Sequence, residues 1–275
     1  MTGAPGAGAS TGGRTAGVSP GIVHLIGGGP GDPDLITVRA YRLLHGADVV
    51  VADRLGPRAL LEELSPDVTI IDVGKLPGFH PVPQYEINAI LVEHARAGKK
   101  VVRLKGGDPY VFGRGGEEAE YCRRHGVTVE VVSGVTSAIS VPAIAGIPVT
   151  HRGVATGFTV LAGHDDIVRV PGGRDHTVVL LMGVAGLAGS AAGLAAGERG
   201  TDCPVAIIED GYGVDQRVTI GTLGTIVAQA ALRGVRSPAV IVIGDVVLLS
   251  PYARTSHSLP VATPAGGELA RKETL

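Results

Sequence analysis

The sequence predicts an α/β protein: two α/β domains with mostly parallel sheets and a cleft between them. Three observations predict it. Residues of the set AVILMFWYC make up 44% of the 275 residues, while aromatics make up only 3% and Trp is absent. The core must therefore be built from Val, Ile, Leu and Ala, which suits sheets covered on both faces. Short β-branched runs alternate with segments of helical spacing, which calls for right-handed crossovers in a parallel sheet. The alternation breaks after Val132 and then resumes, which marks two domains, 21–133 and 134–251.

Ile22 to Ile26 is a β-branched strand, broken by Gly27-Gly28-Gly29-Pro30-Gly31-Asp32-Pro33. Helical spacing follows from Leu35 to Leu44, and Gly46 stops it. Asp48–Ala52 is a second strand, Pro57–Leu64 a helix and Val68–Val73 a third strand. The segment from Gly74 to Gln84 holds three prolines and reads as a loop. Glu86–Ala97 is an amphipathic helix ended by Gly98, and Lys100–Leu104 is the fourth strand. Glu117–His125 is helical and Val127–Val132 extended. Ser133–Ser140 then opens a small-residue helix, followed by the loop Gly146–Gly153. Strands are expected near Thr159–Ala162, Thr177–Met182, Val205–Glu209, Val218–Thr222 and Ala239–Ile243, with helices at Leu187–Ala196 and Leu223–Leu232. Met1–Pro20, rich in Gly, Ala, Ser and Thr, reads as a disordered tail. The end from Tyr252 to Leu275 reads as loose.

Charge and cysteine usage narrow the function. The net charge is -2, so no global field favours nucleic acid or an anionic membrane. Apolar runs are too short to span a bilayer. The two cysteines, Cys122 and Cys203, stand far apart; two free thiols fit the reducing cytoplasm. Nothing has metal-ligand spacing.

Gly27-x-Gly29 after a strand, with Asp53 ending the next one, imitates a dinucleotide fingerprint. Its third glycine would fall at position 32, which is Asp32, and an acid there faces a pyrophosphate badly. Gly113-Arg114-Gly115-Gly116 lacks the Gly-Lys-Ser/Thr of a phosphate loop. No Gly-x-Ser-x-Gly elbow is present. His24, inside a strand, reads as a packed, hydrogen-bonded histidine; His151 and His164 sit in loops where a functional role is open. The most informative stretch is Val101–Glu118, a strand that runs into a turn dense in glycine and carrying Asp108, Pro109 and Arg114. Such a turn at a strand's carboxyl end is where α/β sheets bind ligands.

Several of these segments, taken in order from about residue 22 to 250, resemble the uroporphyrinogen-III C-methyltransferase family of tetrapyrrole methylases. They are Gly27–Pro33, Asp53-Arg54-Leu55, Gly74-Lys75 with Val82-Pro83-Gln84, Val101–Glu118, Gly146–Arg152, Met182-Gly183 and Ser237-Pro238-Ala239. The resemblance implies two α/β domains with an active-site cleft between them. It implies an enzyme that uses S-adenosyl-L-methionine (SAM) and no metal. That enzyme methylates uroporphyrinogen III at C2 and C7 to precorrin-1 and then precorrin-2, in sirohaem or cobalamin biosynthesis. It also implies a homodimer.

By resemblance, Pro30, Gly106, Gly107, Asp108, Val111, Thr136, Ser137, Met182 and Gly211 line the cofactor site. The residues themselves leave Asp108 as a ligand acceptor or a helix cap, and Met182 as a cofactor contact or core packing. Thr136 and Ser137 start a helix with free N–H groups. Also by resemblance, Asp53 is the base that takes the pyrrole proton and Lys75 its proton-donating counterpart; otherwise Asp53 reads as a ribose binder and Lys75 as a solvated lysine. The substrate has eight carboxylates, and Arg54, Arg114 and Arg152 are the candidates to meet them. The chain departs from the family's pattern at Ala52 (usually Tyr), Pro77, Phe79 and Pro81 in the Lys75 loop, Ser133 (usually Pro), Asp210 (commonly Asn) and a shortened 163–177 segment. A sibling methylase acting on a later precorrin is disfavoured by the Lys75 loop and the Arg114 segment. A non-catalytic tetrapyrrole- or SAM-binding regulator would not need Asp53, Lys75 and Asp108.

Overall fold

The structure, a computed structural model, describes residues 21–54, 56–74, 82–163, 167, 170 and 172–256. The chain divides into two compact units, Met1–Val135 and Thr136–Leu275. Each contains one five-stranded sheet.

The first unit runs β1 (Ile22–Gly27), α1 (Val38–His45), β2 (Val49–Ala52), α2 (Ala59–Glu62), β3 (Thr69–Asp72), α3 (Gln84–Arg96), β4 (Lys100–Lys105), α4 (Gly115–Arg124) and β5 (Thr128–Val132). Its strand order is β3-β2-β4-β1-β5, and all four pairings are parallel. Near-continuous apolar strands are what a sheet buried on both faces requires. On one face Val23, Leu25, Val49, Val51 and Val101 pack against Ile87 and Leu91 of α3 and Ala119 and Cys122 of α4. On the other, Ile26, Val50, Val102 and Leu104 pack against Ala40 and Leu44 of α1 and Leu60 of α2. The chain winds one way from β1 to β3 over the α1/α2 face and back from β3 to β5 over the α3/α4 face. The loops leaving β1 and β4 therefore diverge from neighbouring strands, which is the switch point where such sheets bind ligands.

The second unit runs α5 (Ser137–Ile144), β6 (Gly157–Ala162), β7 (His176–Leu181), α6 (Leu187–Ala195), β8 (Pro204–Glu209), β9 (Arg217–Thr222), α7 (Ile226–Arg233), β10 (Ala239–Ile243) and α8 (Pro251–Ser256). The order is β6-β7-β10-β8-β9. Here the parallel expectation is corrected: only β6 and β7 pair parallel, while β7·β10, β10·β8 and β8·β9 are antiparallel. Only seven residues, 210–216, link β8 to β9. A parallel pair needs a crossover of about a dozen residues or more, so this link closes a hairpin instead. The α/β class and a parallel majority over both sheets hold. Helices still cover both faces: α6 and α7 through Leu187, Leu194 and Ile226, and α5 through Ala138 and Val141.

Element ends shift in ways that capping explains. α1 starts at Val38, not Leu35, because Thr37 accepts the Ala40 N–H at its amino end and Pro33–Leu35 forms a separate 3-10 turn. α7 starts at Ile226 rather than Leu223. The loose end expected from Tyr252 is corrected by α8, which continues to Ser256; 257–275 lie outside the described residues.

Candidate active site

The loops after β1, β4 and β5 are pressed together backbone to backbone. Gly29 and Gly107 form a two-residue antiparallel bridge, Gly107 N–H donating to Gly29 O at 2.7 Å and Gly29 N–H to Gly107 O at 3.2 Å. A Cβ on Gly27 would lie 2.5 Å from Gly107 O, and one on Gly134 only 2.2 Å from the same oxygen. No side chain fits at either position, so Gly27 and Gly134 are required by contact, while Gly107 takes left-handed backbone at φ 63. Asp108 ties the loops together: Oδ1 accepts the Tyr110 N–H at 2.8 Å and Oδ2 accepts the Gly134 N–H at 3.0 Å. It caps a turn, not a helix.

Beyond this crevice the chain takes left-handed backbone at Phe112 (φ 52) and Arg114 (φ 58). Side chains rarely adopt these angles, and such residues cluster at functional sites. Phe112 is 44% exposed, in a chain with few aromatics. Arg114 is exposed and donates through Nε and Nη2 to both oxygens of Glu117, at 2.9 and 2.7 Å. Val111 and Pro30 lie in the same two loops, partly buried.

Asp53 stands one residue past β2, next to β4, with its N–H donating to Leu104 O at 3.4 Å. Its Oδ2 lies 3.4 Å from Nη2 of Arg103. Arg103 and Lys105 alternate along β4 and point to one face, where both are buried (3% and 4% exposed). Both meet Glu118 of α4, which is 0% exposed, and both donate to its Oε1 at 3.1 Å. Gln84, the first residue of α3, donates to the same oxygen at 3.1 Å. Burial, and then the neighbouring Arg103, push the Lys105 ammonium below the usual lysine range. Arg54 follows Asp53 and is exposed. Lys75 and the substituted positions Pro77, Phe79 and Pro81 lie outside the described residues.

In the second unit, β7 and β8 run in the same direction, and their carboxyl ends share one edge of the sheet. Met182 follows β7 with φ 58 and is 55% exposed, which removes core packing as its role. Asp210 (φ 45) and Tyr212 (φ 70) flank Gly211 after β8. This loop docks on α5: a Cβ on Gly211 would come within 2.6 Å of Val141, and the Tyr212 hydroxyl donates to Ser140 O at 3.0 Å. Thr136 caps α5 by accepting the Ala138 N–H at 3.3 Å, and Ser137 is its first residue. Arg152 is exposed beside the His151–Ala155 bridge.

Each unit thus gathers its own share of the expected residues at one sheet edge: Pro30, Asp53, Gly106, Gly107, Asp108 and Val111 in the first, Thr136, Ser137, Met182 and Gly211 in the second. Sequence reasoning missed Gln84, Arg103, Phe112, Glu118 and Tyr212. The signal for Arg103 and Lys105 was present as two cations at alternate positions of an otherwise apolar strand. His24 is buried in β1 with Nδ1 3.2 Å from Glu130 Oε2, the packed role expected of it.

A doubly wound unit whose glycine loops close on one another at the switch point, with an acid beside them, has the ligand-binding edge of an open α/β sheet. The chain matches the model of the Tetrapyrrole (Corrin/Porphyrin) Methylases over residues 23–227 and belongs to that family. It is 49% identical over 237 residues to the S-adenosyl-L-methionine-dependent uroporphyrinogen III methyltransferase of Methanosarcina barkeri, covering 83% of this chain and 93% of that protein. It is 48% identical over 237 residues to the uroporphyrinogen-III C-methyltransferase of Methanocaldococcus jannaschii, covering 82% and 97%. The crystal structure of the Thermus thermophilus uroporphyrin-III C-methyl transferase complexed with S-adenyl homocysteine matches with a TM-score of 0.68 at 41% identity, over 82% of this chain and 93% of that one.

Proposed function

We propose that the chain is a SAM-dependent uroporphyrinogen-III C-methyltransferase that methylates C2 and C7 of its substrate, giving precorrin-1 and then precorrin-2 for sirohaem or cobalamin synthesis. The observation that carries this reading is the side-chain-free crevice of Gly27, Gly107 and Gly134 with the Asp53 carboxylate one strand away. SAM carries an adenosine, an amino-acid end and no phosphate. A cradle of main-chain groups fits it, and the chain offers one at each sheet edge. In the first unit Pro30, Gly106, Gly107, Asp108 and Val111 would hold the cofactor; in the second, Thr136, Ser137, Met182 and Gly211 would. The 21–133 and 134–251 domains then each contribute cofactor contacts.

When bound, SAM supplies an electrophilic methyl group. The chain's own part is to hold the acceptor carbon in line and to remove the pyrrole N–H proton as the ring gives up electrons. The proton lost balances the methyl cation equivalent gained; Asp53 takes it, and Lys75 is the proton-donating counterpart that the family's pattern gives. Alignment of two reactants can supply up to roughly 7–11 kcal/mol of a barrier, so positioning counts beside proton transfer. Arg54, Arg114 and Arg152 meet the substrate's carboxylates from exposed positions, where the anions keep their water. Exchange of Arg114's Glu117 partner for a substrate carboxylate would leave a charge-assisted bond on both sides of the exchange.

A homodimer in the cytoplasm completes the proposal. Among the described residues no helix is long and apolar enough to cross a membrane, and both cysteines are free and buried. The test is anaerobic incubation with methyl-labelled SAM and uroporphyrinogen III. Two labelled methyl groups per tetrapyrrole are expected, with the monomethylated product appearing first. Label incorporated into a later precorrin but not into uroporphyrinogen III would move the chain to another branch of its family.

A further inference from the structure

We propose that Arg103 is the positioning residue for Asp53 and that Glu118 is its anchor. The inference rests on the reading of Asp53 as the base. Arg103 has donors in three directions, and each is used. Nε donates to Glu118 Oε1 at 3.1 Å, Nη1 to Leu104 O at 3.0 Å and Val51 O at 3.3 Å, and Nη2 reaches Asp53 Oδ2 at 3.4 Å. A planar guanidinium fixed at Nε and Nη1 has no rotational freedom left, so the direction of Nη2 is set. Nη2 is thereby aimed at the Asp53 carboxylate, which stands on a turn just past a strand end.

Glu118 in turn is held by three donors from two elements. Arg103 and Lys105 of β4 and Gln84 of α3 all donate to Oε1. Oε2 is buried and has no hydrogen-bond partner among the described residues. A buried carboxylate bonded through one oxygen only is expensive to keep in a core that could have been apolar. Its retention is explained if the cluster is needed elsewhere. The charged groups facing it are Arg103, Lys105 and, through Arg103, Asp53; two cations and two carboxylates balance. Gln84 belongs to the Val82-Pro83-Gln84 part of the motif that includes Lys75, and through it the amino end of α3 is joined to the same cluster.

The test uses the full chain. Arg103→Lys keeps the charge but loses the planar fork, and kcat is expected to fall about a hundredfold, the loss that follows a misplacement of about 1 Å. The KM for SAM and the binding of S-adenosylhomocysteine are expected to stay unchanged. Glu118→Gln keeps an acceptor oxygen at the same place and is expected to lower kcat about tenfold, again with cofactor binding intact. In an Asp53→Asn background neither change lowers the residual rate further, because both act through Asp53; a merely structural role would lower it again. If Arg103→Lys fails to fold, Glu118→Gln with and without Asp53→Asn carries the same comparison. Full kcat in the folded variants while Asp53→Asn is inactive overturns the positioning role alone. Full turnover in Asp53→Asn overturns the base assignment, and the positioning role falls with it.

Discussion

In the first unit the strand leading to the candidate site is charged inside. Arg103 and Lys105 sit on β4 beneath α3 and α4, closed over by Glu118. In the second unit β7 and β8 reach the site edge through apolar runs, Val178-Val179-Leu180 and Val205-Ala206-Ile207-Ile208, all fully buried. What is unusual there is backbone: left-handed Met182, Asp210 and Tyr212 around Gly211. The first sheet fixes the direction of a side chain, and buried ion pairs do that. The second fixes the direction of main-chain groups, and strained turns held on α5 do that. On the proposed reading both edges offer main-chain groups to the cofactor, and the first adds an aimed carboxylate, which is what proton transfer would need.

Gly134→Ala forces a Cβ against Gly107 O, an immovable backbone atom. A loss of about 3 kcal/mol in denaturant unfolding is expected, together with lost cofactor binding. An alanine tolerated at that position would mean the three loops are not in contact. Gly211→Ala meets only the Val141 methyl groups, which can shift, so about 1 kcal/mol is expected by the same measurement. A larger loss at 211 than at 134 would mean that the Val141 contact is the more rigid of the two.

At Met182 stability and binding should separate. Met182→Ala removes an exposed side chain and should change stability by less than about 0.5 kcal/mol. It should weaken SAM binding about tenfold by calorimetric titration, if burial of the side chain by the cofactor is worth what burial of a methionine usually is. Met182→Gly, which suits φ 58, should be no less stable than Met182→Ala and bind as weakly. The smallest effect is expected at the thiols. Burial pushes both Cys122 and Cys203 up to about 11, so neither should react with a disulfide reagent at pH 8 until the protein unfolds. Rapid labelling of Cys122 alone would show that the layer of α4 over the charged cluster opens readily.

Most of the strands and the glycine loops that follow them were legible in the sequence, because β-branched runs ended by glycine leave few other readings. The sense of the second sheet was legible too, but in loop length rather than composition: the short link from Glu209 to Arg217 cannot cross over a sheet. Asp53's setting was not legible. Arg103 and Glu118 are fifteen positions apart, and only the packing of α4 on the sheet brings them together. Nor did spacing distinguish Gly134 from an ordinary turn glycine, since its partner carbonyl belongs to a loop twenty-seven residues earlier, at Gly107.

On the proposed reading, the first unit's sheet edge holds an aimed base beside a cofactor cradle that works without it. The most direct measurement is SAM titration and methyl transfer to uroporphyrinogen III on one sample of Asp53→Ala. Cofactor affinity within about twofold of the parent protein, with turnover lower by at least about a hundredfold, is the result expected. Turnover near that of the parent protein with SAM bound would contradict the account.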